Sequence, residues 1–309
     1  MSVTDAKLAY LAEAAALGSM RAASEKLDVA VSSISRQITQ LENDLGLPLI
    51  ERGRRSIKLT EAGELAIRFY RDGLIHRESF ASSLQALKGL RAGQVCIAAG
   101  EGFVSILSVI LQDYLSQHSG VLLSINMAGT LDVIRQVRED EAHIGLVFHA
   151  PPDPKINVRA SIPQPIKLIV HPRHPLAEAD SVTLKELASQ RLCLPEPTFR
   201  IRQMIALGES LERVTLNPHV NTNSLTLLKD MVKSGGYAAL LPESAALIEL
   251  NRRELKAVPV ANAALQETSQ NLICRLGRTL PAAPAALLPL LESGMRLWAR
   301  KNRGTTEAT

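Results

Sequence analysis

The chain has 309 residues, 46% hydrophobic and 21% charged, enough apolar material for two or three packed domains and too little charge bias for a disordered protein. Its net charge of +4 is spread evenly, with 13 Lys and Arg against 11 Asp and Glu leaving +2 in residues 1–92, so charge alone does not single out a nucleic-acid partner. The polar–apolar mixture at Met1–Ala16 does not read as a secretory leader, and no apolar run reaches the ~18 residues of a membrane span, so the sequence reads as soluble and cytoplasmic.

Thr4 and Asp5 open a predicted helix over 4–17 with Leu8, Leu11 and Ala15 on one face. Gly18-Ser19 stops it and caps a second helix, Met20–Leu27, whose Ala22-Ala23 pair permits close helix approach. Asp28-Val29 turns into a third helix over Val31–Leu45, where Ile34, Ile38, Leu41 and Leu45 form one buried stripe. The opposite face carries Ser32, Ser33, Ser35, Arg36, Gln37 and Gln40, residue types suited to phosphates and base edges in a major groove. Gly46–Ile50, Glu51–Arg55 and Ser56–Leu59 then read as strand, basic turn and strand, a wing whose Arg52, Arg54 and Arg55 would lie on a phosphate backbone.

The run from Gly18 to Gly63 closely resembles the DNA-binding module of LysR-type transcriptional regulators. The resemblance is carried by Gly18-Ser19, Ala22-Ala23, Leu27, Val29, Ser35-Arg36-Gln37-Ile38, Leu41-Glu42, Leu45-Gly46, Leu49, Glu51-Arg52 and Leu59-Thr60-Glu61-Ala62-Gly63. It implies a winged helix-turn-helix that binds double-stranded operator DNA, with Val31, Ser32, Ser33, Ser35, Arg36, Gln40, Arg52, Arg54 and Arg55 as contact residues. One stretch departs from the family. Where a Ser-Gln-Pro-like start is usual, this chain has Ala30-Val31-Ser32, which removes the cap hydroxyl at 30 and puts an apolar Val31 at a common base-reading position. Ser32 is the alternative cap, and Val31 either meets a thymine methyl or makes no base contact.

Thr60 with Glu61 and Glu64 starts a long helix of about 27 residues without proline. Ala62, Ala66, Phe69, Gly73, Phe80, Leu84 and Leu87 approximate a heptad seam flanked by Arg68, Arg71, Arg77, Glu78 and Lys88. The periodicity fits a lone amphipathic helix or a paired one; the family resemblance implies a linker helix that pairs two chains, in a homodimer or homotetramer. Gly89–Gln94 reads as a hinge.

From Val95 onward, short apolar runs alternate with helices, the pattern of an α/β fold with a largely parallel sheet. Val95–Ala99, Val121–Met127 and Ile144–Phe148 read as strands with helices at about 103–117 and 131–140 between them. A second series follows, with strands at Lys167–Val170, Arg191–Leu194, His219–Thr222 and Tyr237–Leu241 and helices at Val182–Ser189, Ile201–Leu211 and Ser224–Ser234. Asn271–Arg275 and a helix over about 285–301 return to the first unit. The region resembles the family's effector-binding part, which implies two periplasmic-binding-protein-like subdomains, 93–163 with 267–301 and 164–266, behind a DNA-binding domain (1–59) and a linker (60–92). Looser motifs support it, among them Ala142–Leu146, His174–Ala177 and Gly235–Pro242.

Open α/β sheets bind ligands where strands meet helix N-termini. Those junctions offer Glu101, Gly102 and Ser105, then Gly129 and Thr130, then Phe148 and His149, and Asn223 beside Ser224, with Phe199 and Arg200 on a crossover loop. Thr130 and Ser224 also fit plain helix caps, Arg200 a surface ion pair, His149 a satisfied strand-end histidine, and Glu101 a partner of its own helix dipole. Arg200, His149 and the helix starts favour a small organic anion, whereas Glu101 favours an amine. The sequence has no phosphate-binding glycine loop, zinc-protease motif or nucleophile elbow, and the run His171-Pro172-Arg173-His174, followed by Pro175, reads as a turn rather than a metal site. Cys96, Cys193 and Cys274 lie apart in apolar stretches and read as reduced core thiols. The expectation is a regulator without catalysis, cofactor or metal, whose ligand shifts the subdomains and so operator bending or contact with RNA polymerase.

Overall fold

The computed structural model describes residues 4–51, 56–87 and 92–304. They form two compact units, Met1–Ala81 and Ser82–Thr309.

The first unit starts with α1 (Asp5–Ala16), α2 (Met20–Leu27) and α3 (Val31–Leu45). Leu8, Leu11 and Ala14 of α1, Ala23 of α2, and Ile34, Ile38 and Leu41 of α3 are buried together with Leu49 and Ile67. Lys7 is drawn into this contact by Asp44, whose carboxylate accepts from its ammonium at 2.6 Å. Ser19 caps α2 by accepting from the Ala22 N–H at 3.4 Å, and Gly46 ends α3 in the left-handed conformation, φ +70°. Ala30 occupies the cap of α3 without a side-chain bond, so Ser32 does not take over that role.

The expected wing strands shrink to one antiparallel bridge between Ile50 and Leu59. Pro48 has no N–H to extend the ladder, and the Leu49 and Ile50 N–H groups instead donate to Glu42 Oε1 at 2.7 and 3.2 Å. Arg52, Arg54 and Arg55 lie outside the described residues. Beyond the bridge, α4 (Glu61–Leu87) begins where the Thr60 hydroxyl donates to Pro48 O at 2.6 Å and accepts from the Gly63 N–H at 3.1 Å. Gly63 admits no side chain, because a Cβ there would stand 2.2 Å from the Leu49 carbonyl oxygen. Ile67 and Ile75 are buried, while Phe69, Phe80 and Leu84 of the heptad seam remain exposed.

The second unit holds two sheets. Strands β1 (Ala92–Ala99), β2 (Gly120–Met127), β3 (Ile144–Phe148), β4 (Ile156–Pro163) and β10 (Ser269–Arg275) form one, in the order β2-β1-β3-β10-β4. Helices α5 (Val104–Gln117), α6 (Thr130–Arg138) and α12 (Ala282–Gly304) cover it. The second sheet is built from β5 (Ile166–Val170), β6 (Cys193–Pro195), β7 (Val220–Thr222), β8 (Ala239–Pro242) and β9 (Lys256–Val258), with α7 (Leu184–Leu187), α8 (Arg200–Glu212), α9 (Leu225–Lys233), α10 (Leu247–Asn251) and α11 (Ala263–Gln266). Its pieces β8-β5-β9 and β6-β7 are joined by a parallel bridge between Leu192 and Ala238.

Neither sheet is largely parallel, contrary to expectation. In the first, β1 pairs in parallel with β2 and β3, but β10 is antiparallel to both β3 and β4. In the second, β5 is antiparallel to β8 and β9. Each sheet therefore has a parallel half and an antiparallel half, because one strand enters each from the other lobe. The expected helix at 182–189 is one turn, Leu184–Leu187, held by a capping box between Thr183 and Glu186. Among the described residues no helix is long and apolar enough to cross a membrane.

Candidate functional site

In the first unit the candidate surface is the outer face of α3. The apolar stripe fixes its orientation: with Ile34, Ile38 and Leu41 buried, Val31, Ser32, Ser35, Arg36 and Gln40 are exposed and Ser33 is half-buried. Arg36 forms no ion pair with a described residue, so its charge stays available to a phosphate or a guanine edge. Val31 is 42% exposed, an apolar side chain at the very start of the helix.

In the second unit a cleft opens between the sheets. Glu101, Gly102, Gly129, Thr130, Phe148, Phe199 and Arg200 line it together with Phe103, Ile201, Leu225, Pro242, Ser244 and Gln270. Ser105, His149 and Asn223 are not part of this lining; Asn223 is exposed and Ser105 half-buried. The cavity is small, about 40 Å³, room for a few waters at roughly 10–15 Å³ each.

Polar contacts tie one wall to the other. Arg200 Nε donates to the His149 carbonyl at 2.9 Å, and its Nη1 to Gln203 Oε1 at 3.2 Å. Gln270 Nε2 donates to Ser244 Oγ at 2.8 Å, with both residues buried. Glu101 accepts from the N–H of Leu225 at 2.9 Å and from the N–H and hydroxyl of Thr226, each at 3.0 Å. Glu101 thus complements a helix dipole, but that of α9 on the opposite wall rather than its own. Thr130 Oγ1 donates to Phe148 O at 3.5 Å.

His149 contributes backbone rather than ring to the cleft. Its φ of +44° lets its N–H reach Ser269 O at 2.6 Å while its carbonyl faces Arg200. Burial, reinforced by the Arg200 charge, holds the imidazole below its usual value of 6.5. Burial likewise lowers the Arg200 guanidinium. Elsewhere, His171 and His174 accept from the N–H groups of Arg173 and Leu176 within their turn. Burial raises the Cys193 thiol and pushes Cys274 up to about 11, away from thiolate chemistry.

A histidine whose folded-state value is depressed stays neutral in the fold and takes a proton more readily when unfolded. Stability is then complete above the unfolded value and is lost as pH falls through 6.5 towards the folded value. His149→Asn, which tolerates the left-handed backbone, is expected to flatten the fall in Tm between pH 7.5 and pH 5.5. An unchanged pH profile in that variant would contradict the assignment.

The chain matches two family models, the bacterial regulatory helix-turn-helix protein of the lysR family over residues 6–64 and the LysR substrate binding domain over residues 88–296. The RuBisCO operon transcriptional regulator of Allochromatium vinosum is 24% identical over 279 residues, covering 90% of this chain and 92% of its own. A full-length OxyR variant from Pseudomonas aeruginosa shares the fold at a TM-score of 0.66 and 19% identity, covering 96% of both chains. Full-length CbnR complexed with its target DNA does so at 0.55 and 20%, covering 94% of this chain and all of that one. The chain belongs to the LysR-type transcriptional regulators, with a DNA-binding helix-turn-helix ahead of a domain that senses a small-molecule effector.

Proposed function

We propose that the protein binds operator DNA as a homo-oligomer through α3 and answers to a small organic anion in the cleft of its second unit. The observation that carries the DNA reading is the division of α3 into a buried apolar stripe and an exposed face of Ser32, Ser35, Arg36 and Gln40, with Arg36 in no ion pair with a described residue. A phosphate-contacting arginine releases counterions on binding. Arg36→Ala is therefore expected to weaken operator binding and to lower the log–log salt slope by about 0.9. An unchanged slope and affinity would remove α3 from the interface.

Pairing through α4 follows from what that helix leaves in water. Phe69 and Phe80 are 66% and 65% exposed on the seam side, a cost that a second copy of the helix would relieve. Phe80→Glu is expected to shift the protein to a smaller species in sedimentation equilibrium. Retention of the wild-type mass would rule out this seam.

The anion reading rests on Arg200, half-buried in the cleft and without a carboxylate partner among the described residues. The N-termini of α6 and α8 reach the same cleft without side-chain caps and favour negative charge. A thermal-shift panel of small organic acids should yield stabilising ligands, with the stabilisation lost in Arg200→Gln. Binding of amines or neutral aromatics with no response to acids would overturn this choice of effector. Ligand-driven movement of the two lobes would then alter operator bending or contact with RNA polymerase.

A further inference from the structure

We propose that Glu101 is an internal latch, a tethered carboxylate that holds the cleft shut when no effector is bound. The proposal builds on the effector-cleft reading and concerns the regulation of that same site.

The latch is visible in the hydrogen bonds at the start of α9. The first N–H groups of any helix lack partners inside the helix. Here Ser224 Oγ accepts from Leu227 at 3.2 Å, and Glu101 takes Leu225 at 2.9 Å and Thr226 at 3.0 Å. Three successive donors are thereby used, two of them by a residue from the opposite lobe. The Thr226 hydroxyl adds a third bond to the same carboxylate. Negative charge at a helix N-terminus is favoured by the dipole, more so when half-buried. Glu101 supplies what a diffusible carboxylate would supply, without the translational entropy that such a ligand loses.

The closed geometry is independent support. A Cβ on Gly102 would stand 3.6 Å from the Ala245 side chain across the cleft, and Gln270 is bonded to Ser244. The remaining space of about 40 Å³ has room for a few waters, far below the roughly 300 Å³ at which ligand pockets begin. Entry requires the lobes to part, and parting them draws the turn after β1 away from α9. All three Glu101 bonds must then break. The population of unlatched protein sets the apparent affinity for the effector, since binding is weakened by the fraction that is competent.

Hydrogen exchange on the full-length protein tests this directly. The Leu225 and Thr226 amides owe their protection to Glu101, whereas Leu228 is bonded within α9 to Ser224 O. Glu101→Ala is expected to speed exchange at Leu225 and Thr226 at least about tenfold, and to speed the facing segment 243–246, while the rest of α9 is unchanged. Formate at tens of millimolar should restore protection in Glu101→Ala by filling the vacated position, and should leave the wild type unaffected. Glu101→Gln keeps one carbonyl acceptor and should give an intermediate result; it serves if the alanine variant fails to fold. Unchanged exchange at Leu225 and Thr226 overturns the proposal. Faster exchange at those two amides with 243–246 unmoved also overturns it, since Glu101 would then cap α9 without closing the cleft. Failure of the effector reading is distinguishable, because it would leave these exchange results intact while no organic acid, amine or aromatic bound wild type or Glu101→Gln.

Discussion

Two backbone crossings, at 163–166 and 266–269, carry every covalent link between the sheets of the C-terminal unit, and the cleft exists because the chain joins the lobes nowhere else. The crossings are stitched together. The Gln164 N–H donates to Thr268 O at 2.8 Å, and the Thr268 hydroxyl donates back to Gln164 O at 2.6 Å. Thr268 is 1% exposed, so these bonds lie in a dry environment where leaving them unmade is costly. Such a pair of strands bends by small dihedral changes at a few residues and resists shear. Movement of one lobe against the other would then be a hinge motion that leaves both cores as they are.

That constraint explains the division of labour along the cleft. Apolar residues from both lobes, Phe103, Phe148, Ile201 and Leu225, meet at its floor and favour closure without direction. Direction comes from a few polar pairs. Arg200 finds the His149 carbonyl because His149 adopts a positive φ, and Gln270 finds Ser244 because β10 returns to the first sheet directly after the crossing at 266–269. A burial-driven seam with few oriented bonds closes cooperatively and reopens at modest cost, which is what a reversible sensor requires.

Much of this was legible from residue order. Helix α3 agrees with the approximate bounds expected from its apolar stripe and its uncapped start at Ala30, both local signals, whereas Gly46 ends the helix rather than opening a strand. Strand direction was not, because an apolar run carries no record of which neighbour it meets; β10 pairs with strands more than a hundred residues earlier. β4 escaped notice because Asn157, Arg159 and Ser161 interrupt its apolar character, and those side chains belong to a half-exposed face. The cleft was half visible. Its polar members sit at strand ends, a recognisable position, whereas Phe103, Ile201 and Leu225 look like any core residue until the lobes are placed. Glu101 lines the cleft at a strand end, but the alternative role of partner to its own helix dipole gives way to that of α9, which begins 124 residues later.

The close approach of Gly63 to the Leu49 carbonyl has a bearing on the ruler by which such a protein measures DNA. With Glu42 gripping Leu49 and Ile50, the start of α4 is welded to the same scaffold that orients α3. In a dimer paired along α4, the distance and rotation between two recognition helices would be inherited from that weld rather than set by the DNA. Operator half-site spacing would then be written into a contact that touches no base, and a change at residue 63 would alter which spacings are read before it altered how tightly any one half-site is held.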